Sequence, residues 1–497
     1  MKKSFSLLPP EYELPHPRYS RWGAEELSAP VRREKGTPDL SPFPPHLPAA
    51  GEEVLQVPRR ILLIAPHDSY RTAPYLAAAK ARGIEVLIAS EAKHSLVSAY
   101  AQGLHLDLGD PQAALQTILR EAHRQPFAAV LGSDDASTEL AALAAHELGL
   151  PHNPTDAVRR ARRKDLARAW LAQAGVPVPR HWRLDLTRPL AAQIEDIHFP
   201  CVLKPVALAA SRGVIRADNV DELTRAAARI QVLLARAGLH EAEERETILV
   251  EEFIPGFEVA VEGLLTQGEL EILTVFDKPD PLDGPYFEET YYITPSRLEA
   301  PVQRALRETI SSACAAYGLR EGPIHAECRI NGEGVWILEV AARTIGGLCG
   351  RLLRSSTGLS LEELVLLHAV GERPEINSET GGAGVLMIPI PQAGILRRVE
   401  GVLAAGKVPY IEEVVIHVRE GYELVPLPEG SSYLGFIFAR APSAVQAEAA
   451  LRAAHACLRV VVMPLWKGEC EQEAGAPRSG DATVASRSQR PPVDSAE

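Results

Sequence analysis

Apolar runs alternate with amphipathic stretches from residue 60 to about 150, a pattern that predicts alternating strands and helices. The predicted elements, in order, are a strand ILLIAP, a helix over 70–82, a strand IEVLIAS, a helix over 111–124, a strand FAAVLG and a helix over 136–148. This spacing is typical of parallel βαβ units and predicts a Rossmann-like domain over residues 58–150.

Ligands of such a sheet bind at the carboxyl ends of its strands. This rule singles out the residues that follow the first and the later strand: Pro66, His67, Asp68, Ser133, Asp134 and Asp135. Helix capping is the alternative explanation, because Ser and Asp commonly precede helices.

A second alternating stretch, IHAECRINGEGVWILEVAAR (residues 324–343), predicts a β-hairpin with an acid in each strand. The Asn-Gly-Glu-Gly segment supplies the turn. With a three-residue Gly-Glu-Gly loop, Asn331 pairs with Val335, and Glu327 lies directly opposite Glu339.

Two carboxylates placed opposite each other call for a cation, because like charges in that position destabilise a sheet. Oxygen ligands alone favour Mg²⁺, and Mn²⁺ is an acceptable substitute. Arg343 shares the face of Glu339 by the two-residue period of a strand. Two solvated acids on an exposed face are the alternative, since strand charges usually face water.

A phosphate-binding loop is indicated further upstream. The apolar strand FPCVLKPV carries Lys204 near its end and is followed by the small-residue loop ALAASRGV, which contains Ser211 and Gly213. Backbone N–H groups in such a loop can bind phosphate, with the lysine as a point charge.

The strand TILVEEFI then ends at Pro255-Gly256, and Glu258 follows it. Lysine strand, small-residue loop, acid-ended strand and carboxylate hairpin occur in the order that ATP-grasp enzymes carry them. From about residue 59 to 465 the chain resembles the ATP-grasp superfamily of carboxylate-amine ligases, and it is most similar to the L-amino acid ligases that form dipeptides.

The resemblance implies which residues bind ATP. Two lysines contact the phosphates, the small-residue loop covers them, the acid-ended strand holds adenine and the next acid holds the ribose. The matching residues are Lys164, Lys204, Ser211, Gly213, Glu251, Glu252, Phe253, Ile254 and Glu258. Ala209 and Ala210 replace the more usual Gly or Ser of the loop, which still permits backbone contacts if their torsions avoid positive φ.

The resemblance also assigns metal binding to Glu327 and Glu339. It makes Arg343 and Lys204 catalytic residues, with Arg343 at an acyl phosphate. Ala341 stands where many members carry an asparagine, so one oxygen ligand is missing.

Substrate contacts are expected in the polar segment 277–296 and near it. By resemblance, Glu289 holds the amino group of the first amino acid, and Glu288, Lys278 and Arg351 are further candidates. A solvated loop acid is the alternative for Glu289.

Length and composition agree with a multidomain enzyme. The 497 residues include 65 acidic side chains against 52 Lys and Arg, a net charge of −13, which argues against a nucleic-acid partner. No apolar run approaches the roughly 18 residues of a membrane helix, so we expect no membrane partner and a cytoplasmic location. The six cysteines are expected to be reduced.

The predicted fold class is therefore α/β and α+β multidomain. A Rossmann-like N-terminal domain (58–150) precedes an ATP-grasp domain (151–381) and a small α+β C-terminal domain (382–465), with disordered segments at 1–57 and 466–497. The implied reaction phosphorylates a small carboxylate with ATP and transfers it to an amine, in a chain that can form a homodimer. A carboxylase or purine-pathway type of enzyme, and an ATP-binding protein without turnover, are the alternatives.

Overall fold

The structure, a computed structural model, describes residues 59–67, 69–91, 103–239, 241–374 and 381–465. All of them belong to one compact unit that extends from Val57 to Glu497. The predicted arm (1–57), the predicted tail (466–497) and Asp68 lie outside the described residues.

A parallel sheet with the strand order β3-β2-β1-β4 opens the described chain. The structure confirms the predicted strands and helices here and adds β3, whose three residues are too few to show a period. The elements are β1 (Arg60–Ile64), α1 (Thr72–Arg82), β2 (Glu85–Ser90), β3 (Gly103–His105), α2 (Pro111–Arg124), β4 (Ala129–Gly132) and α3 (Asp135–Glu147).

A four-stranded antiparallel sheet follows, with the order β5-β8-β6-β7. We call this sheet and its helix α6 the small lobe. Its strand β6 carries Lys204, and the predicted phosphate loop connects β6 to β7. The elements of this part are α4 (Thr155–Arg162), α5 (Lys164–Gln173), β5 (His181–Asp185), β6 (Cys201–Pro205), β7 (Ile215–Ala217), α6 (Val220–Ala235), α7 (Ala242–Glu246) and β8 (Thr247–Glu252).

An eight-stranded antiparallel sheet, in the order β13-β12-β9-β10-β11-β14-β18-β16, forms the large scaffold. Because β11 pairs with β14, this sheet continues across the predicted boundary at residue 381. Its strands are β9 (Phe257–Thr266), β10 (Glu269–Lys278), β11 (Tyr291–Thr294), β12 (Gly322–Asn331), β13 (Gly334–Ala341), β14 (Gly382–Ile388), β16 (Ile411–Ile416) and β18 (Gly435–Ala441).

Helices and a three-stranded sheet, β17-β15-β19, complete the described chain. The sequence pattern did not predict β15, β17 or β19. These elements are α8 (Ala300–Tyr317), α9 (Arg354–Thr357), α10 (Leu361–Ala369), β15 (Gly394–Glu400), α11 (Val402–Ala405), β17 (Glu423–Leu424), α12 (Ala444–Ala456) and β19 (Arg459–Met463). No described helix is both long enough and apolar enough to cross a membrane.

The hairpin β12–β13 shows where the sequence prediction held and where it failed. Glu327 does lie opposite Glu339, as predicted. The tip is different, because Asn331 pairs with Gly334 and not with Val335. A bulge beside Glu327 adds one residue to β13 and restores the predicted pairing of the acids, since a bulge sets two residues against one.

One hydrophobic cluster joins the parallel sheet to the large sheet. It packs Ile61 and Leu63 of β1 together with Leu364 of α10 and Phe276 of β10, all fully or almost fully buried. Burial of this apolar surface, at roughly 25 cal/mol per Å², fixes the parallel sheet against the large sheet. The carboxyl end of β1 is thereby held beside the site described next.

Candidate active site

A cavity of about 730 Å³ lies where the parallel sheet, the small lobe and the large sheet meet. Most of the residues predicted from the sequence line it: Lys164, Lys204, Ser211, Glu251, Glu252, Phe253, Ile254, Glu258, Glu289, Glu327, Glu339 and Arg343. Four predicted residues are not among the lining residues: Gly213, Lys278, Glu288 and Arg351. Segments far apart in the chain are thus brought to one chamber.

Lys204 and Glu251 face each other on the neighbouring strands β6 and β8. The Nζ atom of Lys204 lies 2.6 Å from Oε2 of Glu251, whose Oε1 accepts a hydrogen bond from Arg168. Burial opposes ionisation of Glu251, but the two cations outweigh it and lower the pKa of this carboxyl to about 2. The ion pair of Lys204 and Glu251 therefore forms part of the wall of the cavity.

A second charged group surrounds Glu339. Its carboxylate lies 3.7 Å from Lys164 Nζ and 3.8 Å from an Nη atom of Arg343. Arg343 is almost buried and donates from Nε to Asp135 at 3.0 Å. Burial opposes the charge on Asp135, but Arg343 and Lys164 lower its pKa below the ordinary value. Both contacts of Glu339 are longer than hydrogen bonds, so its oxygens keep room for a further ligand.

The phosphate loop between β6 and β7 is anchored at its start and its end. Lys164 Nζ donates to the carbonyl of Leu208 at 2.8 Å. Ala210 and Ser211 both adopt φ of 55°, so the condition that the loop alanines avoid positive φ fails at Ala210. Gly213 has φ of 74° and packs against Pro205, where an added Cβ would lie 2.6 Å from a ring carbon. The loop residues Leu208 to Ser211 line the cavity.

Three adjacent strands carry charged side chains on one buried face. Across the ladder from β12 to β9 to β10, Arg329 pairs with Glu258, and Glu258 pairs with Lys278. Glu258 accepts from Arg329 Nε at 3.0 Å and from Lys278 Nζ at 2.9 Å. Both oxygens of this predicted ribose-binding acid therefore already have cationic partners.

The ammonium group of Lys278 also contacts two further acids. It lies 2.7 Å from Glu289 and 2.8 Å from Glu327, and only 3% of the lysine side chain is exposed. The carboxylate oxygens of Glu258, Glu289 and Glu327 come within 4.8 Å of one another, a spacing that suits a cation. The ammonium group of Lys278 is that cation in this structure. The sequence analysis had proposed Lys278 as a candidate for substrate contact.

Burial and the neighbouring charge of Glu327 raise the pKa of Glu289 to about 7, although Lys278 opposes this. Glu327 keeps its charge, because Lys278 and His325 hold its pKa well below the ordinary range despite burial. His325 donates to Glu262 at 2.7 Å and lies 3.7 Å from Glu327. Burial alone would lower the pKa of His325, but these two acids raise it to about 9.

An aromatic side chain, Phe253, lies at the end of the acid-ended strand TILVEEFI, which we call the hinge strand. The guanidinium groups of Arg216 and Arg329 lie 4.3 Å and 4.9 Å from the ring centroid of Phe253. The carbonyl of Ile254 accepts from Arg329 at 2.8 Å. The strand predicted to hold adenine is therefore braced by cations, and its residues from Glu251 to Ile254 face the cavity.

Two of the remaining substrate candidates lie elsewhere. Arg351 pairs with Glu413 at 2.7 Å and stacks on the ring of Phe438 at 3.8 Å. Glu288 is half-buried, and burial raises the pKa of its carboxyl even though the backbone of Ile390 donates to it. Neither side chain lines the chamber.

The strand ends of the parallel sheet contribute as well. Asp134 caps α3 through the N–H groups of Ala136 and Ser137, which agrees with the capping explanation. Asp135, the next residue, instead meets Arg343 in the cavity. Pro66 lines the cavity, and His67 contacts Glu91.

Several site residues were not predicted from the sequence. His325 and Arg329 alternate with Glu327 on β12, so strand periodicity could have placed them on the same face. Arg168 follows Lys164 by four residues on α5, which also gives one shared face. Tyr292 and Tyr433, which line the cavity, carry no comparable signal.

Comparison with known proteins agrees with this geometry. The ATP-grasp N-terminal domain matches residues 76–152, the ATP-grasp domain matches residues 197–351, and L-amino acid ligase C-terminal domain 2 matches residues 386–463. The chain therefore has a mixed α/β multidomain ATP-grasp fold. Its C-terminal part is of the L-amino acid ligase type, so the resemblance inferred from the sequence is confirmed.

Individual relatives give the same result. The chain is 27% identical over 239 residues to the alanine–anticapsin ligase of Bacillus subtilis, which covers 45% of this chain and 50% of that protein. It is 25% identical to the dapdiamide A synthase of Enterobacter agglomerans over 50% of this chain and 57% of that protein. The chain spans about half to three-fifths of the length of most of these curated relatives.

Among solved structures, the L-amino acid ligase from Bacillus licheniformis superposes with a TM-score of 0.67 at 26% identity. That match covers 81% of this chain and 99% of the ligase. The chain is thus similar to an L-amino acid ligase through all three matched domains.

Proposed function

We propose that this protein is an ATP-dependent ligase that converts the carboxylate of one amino acid into an acyl phosphate and transfers the acyl group to the amine of another. The proposal rests above all on the chamber that brings Lys164, Lys204, Glu327, Glu339 and Arg343 together from separate segments. The names of the relatives, an alanine–anticapsin ligase and an L-amino acid ligase, support amino acids as the substrates.

Phosphoryl transfer to a carboxylate needs cations around the transferred group, and the chamber supplies them. Lys164 and Lys204 are proposed to bind ATP phosphates under the loop that contains Ser211. Arg343 is proposed to stabilise the charge that develops on the acyl phosphate, because its planar fork can bind two oxygens at once. Asp135 orients that fork through its contact with Nε.

ATP-grasp enzymes use ATP together with divalent metal ions, and the carboxylate oxygens of Glu327 and Glu339 fit Mg²⁺ or Mn²⁺. A bound ion would neutralise phosphate charge during transfer. The long contacts of Glu339 leave its oxygens able to accept such a ligand. Ala341 offers none, so water is proposed to complete the shell.

Glu289 is proposed to hold the ammonium group of the first amino acid. Its carboxyl has a pKa of about 7 without substrate, so an incoming ammonium would favour the charged form. The hinge strand from Glu251 to Ile254 is proposed to hold adenine. Glu258 is proposed to reach the ribose only if one of its present partners, Arg329 or Lys278, shares it.

The proposal includes the finer organisation predicted from the sequence. The parallel sheet of residues 58–150 is proposed to be Rossmann-like, with the ATP-grasp domain at 151–381 and the α+β domain at 382–465. The described cysteines are all free thiols, which fits the cytoplasmic location expected from the sequence. The proposal extends to a homodimer.

A screen of amino acid pairs tests the proposal. Purified protein is incubated with ATP, Mg²⁺ and each pair, and ADP, phosphate and peptide are quantified. ADP and peptide formed in equal amounts with at least one pair would support the ligase. Phosphate release only with bicarbonate or a nucleotide intermediate would favour the carboxylase or purine-pathway alternative, and binding without release would favour a protein without turnover.

A further inference from the structure

A short segment of the C-terminal region touches both the small lobe and the cavity. Residues 428–433, which we call the strap, belong to the connection between β17 and β18. Ser431, Ser432 and Tyr433 of the strap line the cavity. Its first two residues, Pro428 and Glu429, instead contact the small lobe.

Two hydrogen bonds to carbonyl groups of the strap tie it to the end of the phosphate loop. The N–H group of Gly213 donates to the carbonyl of Pro428 at 2.8 Å. The Nε atom of Arg212 donates to the carbonyl of Glu429 at 3.1 Å. Lys164 donates to the carbonyl of Leu208 at the beginning of the same loop, so both ends of the loop are held by hydrogen bonds.

An ion pair adds a side-chain connection. The carboxylate of Glu429 accepts two hydrogen bonds from Arg229 of α6, at 2.5 Å to Nε and 2.8 Å to Nη2. The remaining Nη atom of Arg229 donates to the hydroxyl of Tyr286, in the polar segment that precedes Glu289. Arg229 thus joins the small lobe to two separate connecting segments, the one between β10 and β11 and the one between β17 and β18.

The geometry suits a connection that opens and closes. The ion pair is bidentate, which makes it directional, but its side chains remain 42% and 43% exposed, so water can replace either partner. A buried pair would cost much more to break. The ion pair between Glu429 and Arg229 can therefore hold the small lobe in one orientation and still break at low cost.

We propose that the strap is a latch, in which Glu429 positions the small lobe over the cavity through Arg229 and keeps water from the acyl phosphate. The water-exclusion part of this proposal rests on the proposed ligase function. Glu429 is a positioning residue, since it contacts the lobe and not the cavity. Ser431 to Tyr433, which follow Glu429 in the strap, line the chamber. Closure of the small lobe is thereby linked to the binding of ligands in the chamber.

The first test needs no turnover. Hydrogen exchange of the Gly213 amide, whose bond to Pro428 breaks when the lobe opens, is measured in the full-length protein with ADP and Mg²⁺. Glu429→Gln and Arg229→Gln should each speed this exchange by about two- to fivefold, the range expected for an exposed ion pair. The exchanged pair Arg229→Glu with Glu429→Arg should restore much of the protection, which a merely structural loss at either site would not do.

Glu400→Gln is the matched control, because Glu400 pairs with Arg398 at 2.7 Å with similar exposure and lies on β15, away from the lobe contacts. It should leave Gly213 exchange unchanged. Parent-like exchange in Glu429→Gln, or a charge-exchanged double variant that opens further than both single variants, would overturn the latch.

The second test measures coupling. In the Glu429→Gln variant, phosphate released per peptide formed should rise about two- to fivefold, while the KM for ATP changes less than this ratio. An unchanged ratio, with faster Gly213 exchange, would overturn the water-exclusion role. If the parent forms no peptide with any pair, the ligase proposal fails, whereas Gly213 exchange still decides whether the latch exists.

Discussion

Replacing Lys278 by methionine should strongly destabilise the protein at neutral and higher pH. The ammonium group lies 2.7–2.9 Å from three carboxylates, of which Glu258 is buried and Glu289 and Glu327 are 19% and 20% exposed. Coulomb's law gives about 6 kcal/mol for each such contact at an effective dielectric constant of about 20, before desolvation is subtracted. Breaking a buried ion pair by removing one partner costs about 3–5 kcal/mol in practice, and we expect a loss in that range.

The loss should depend on pH in a defined direction. After removal of Lys278, Glu258 keeps Arg329 and Glu327 keeps His325, but Glu289 keeps no cation among its described contacts. Its pKa, already raised to about 7, will rise further, and protonation removes the uncompensated charge. The variant should therefore recover stability relative to the parent as pH falls from about 8 to 6, in accordance with proton linkage.

Urea denaturation at both pH values measures these differences. Arg398→Gln, which breaks an exposed ion pair, is the control and should cost less than about 1 kcal/mol at either pH. Millimolar Mg²⁺ should stabilise Lys278→Met more than the parent, because the ion can replace the ammonium among the carboxylates. A loss below about 1 kcal/mol at pH 8, or an equal loss at pH 8 and 6, would refute the assigned role of Lys278.

Three further substitutions probe separate parts of the site. Lys204→Ala should weaken ATP binding by about 1.5–3 kcal/mol in calorimetry, because a charge-assisted contact is lost, and parent-like affinity would reject the phosphate role. Arg343→Lys should lower kcat while changing ATP affinity little, since a point charge cannot replace a planar fork; normal kcat would contradict this. The pKa of His325 is raised to about 9, so its stabilising contribution is full below pH 6.5 and disappears as pH rises through 9. In the parent, the free energy of unfolding should therefore decline between these two pH values, and His325→Gln should make this decline smaller. An unchanged decline in the variant would exclude His325 as its source.

The order of motifs along the chain was sufficient to predict the ATP-grasp fold. Strand periodicity also placed Glu327 opposite Glu339. The prediction of the hairpin tip was wrong, however, because Asn331 pairs with Gly334 and not with Val335. Two local features, a tighter tip at Asn331 and a bulge beside Glu327, shift the register in opposite directions and cancel. Bulges depend on the neighbouring strands, so the sequence of one hairpin does not reveal them.

Contacts between distant strands explain most of what the sequence did not predict. Lys278 looked like a loop residue near a substrate segment, and only the order β12-β9-β10 places it across from Glu258. The contact between Gly213 and Pro428 joins residues more than 200 positions apart, which no local pattern encodes. Arg351 follows the carboxylate hairpin closely in sequence, but its partner Glu413 lies on β16, the edge strand of the large sheet.

The central claim is that an amino acid carboxylate is phosphorylated in the chamber, and hydroxylamine trapping tests it most directly. Hydroxylamine attacks an acyl phosphate to give a stable hydroxamate and free phosphate. With ATP, Mg²⁺ and a single accepted amino acid, we predict that hydroxamate and ADP form in equal amounts, and that Arg343→Ala lowers both. Formation of ADP without hydroxamate, or of AMP in its place, would contradict the account.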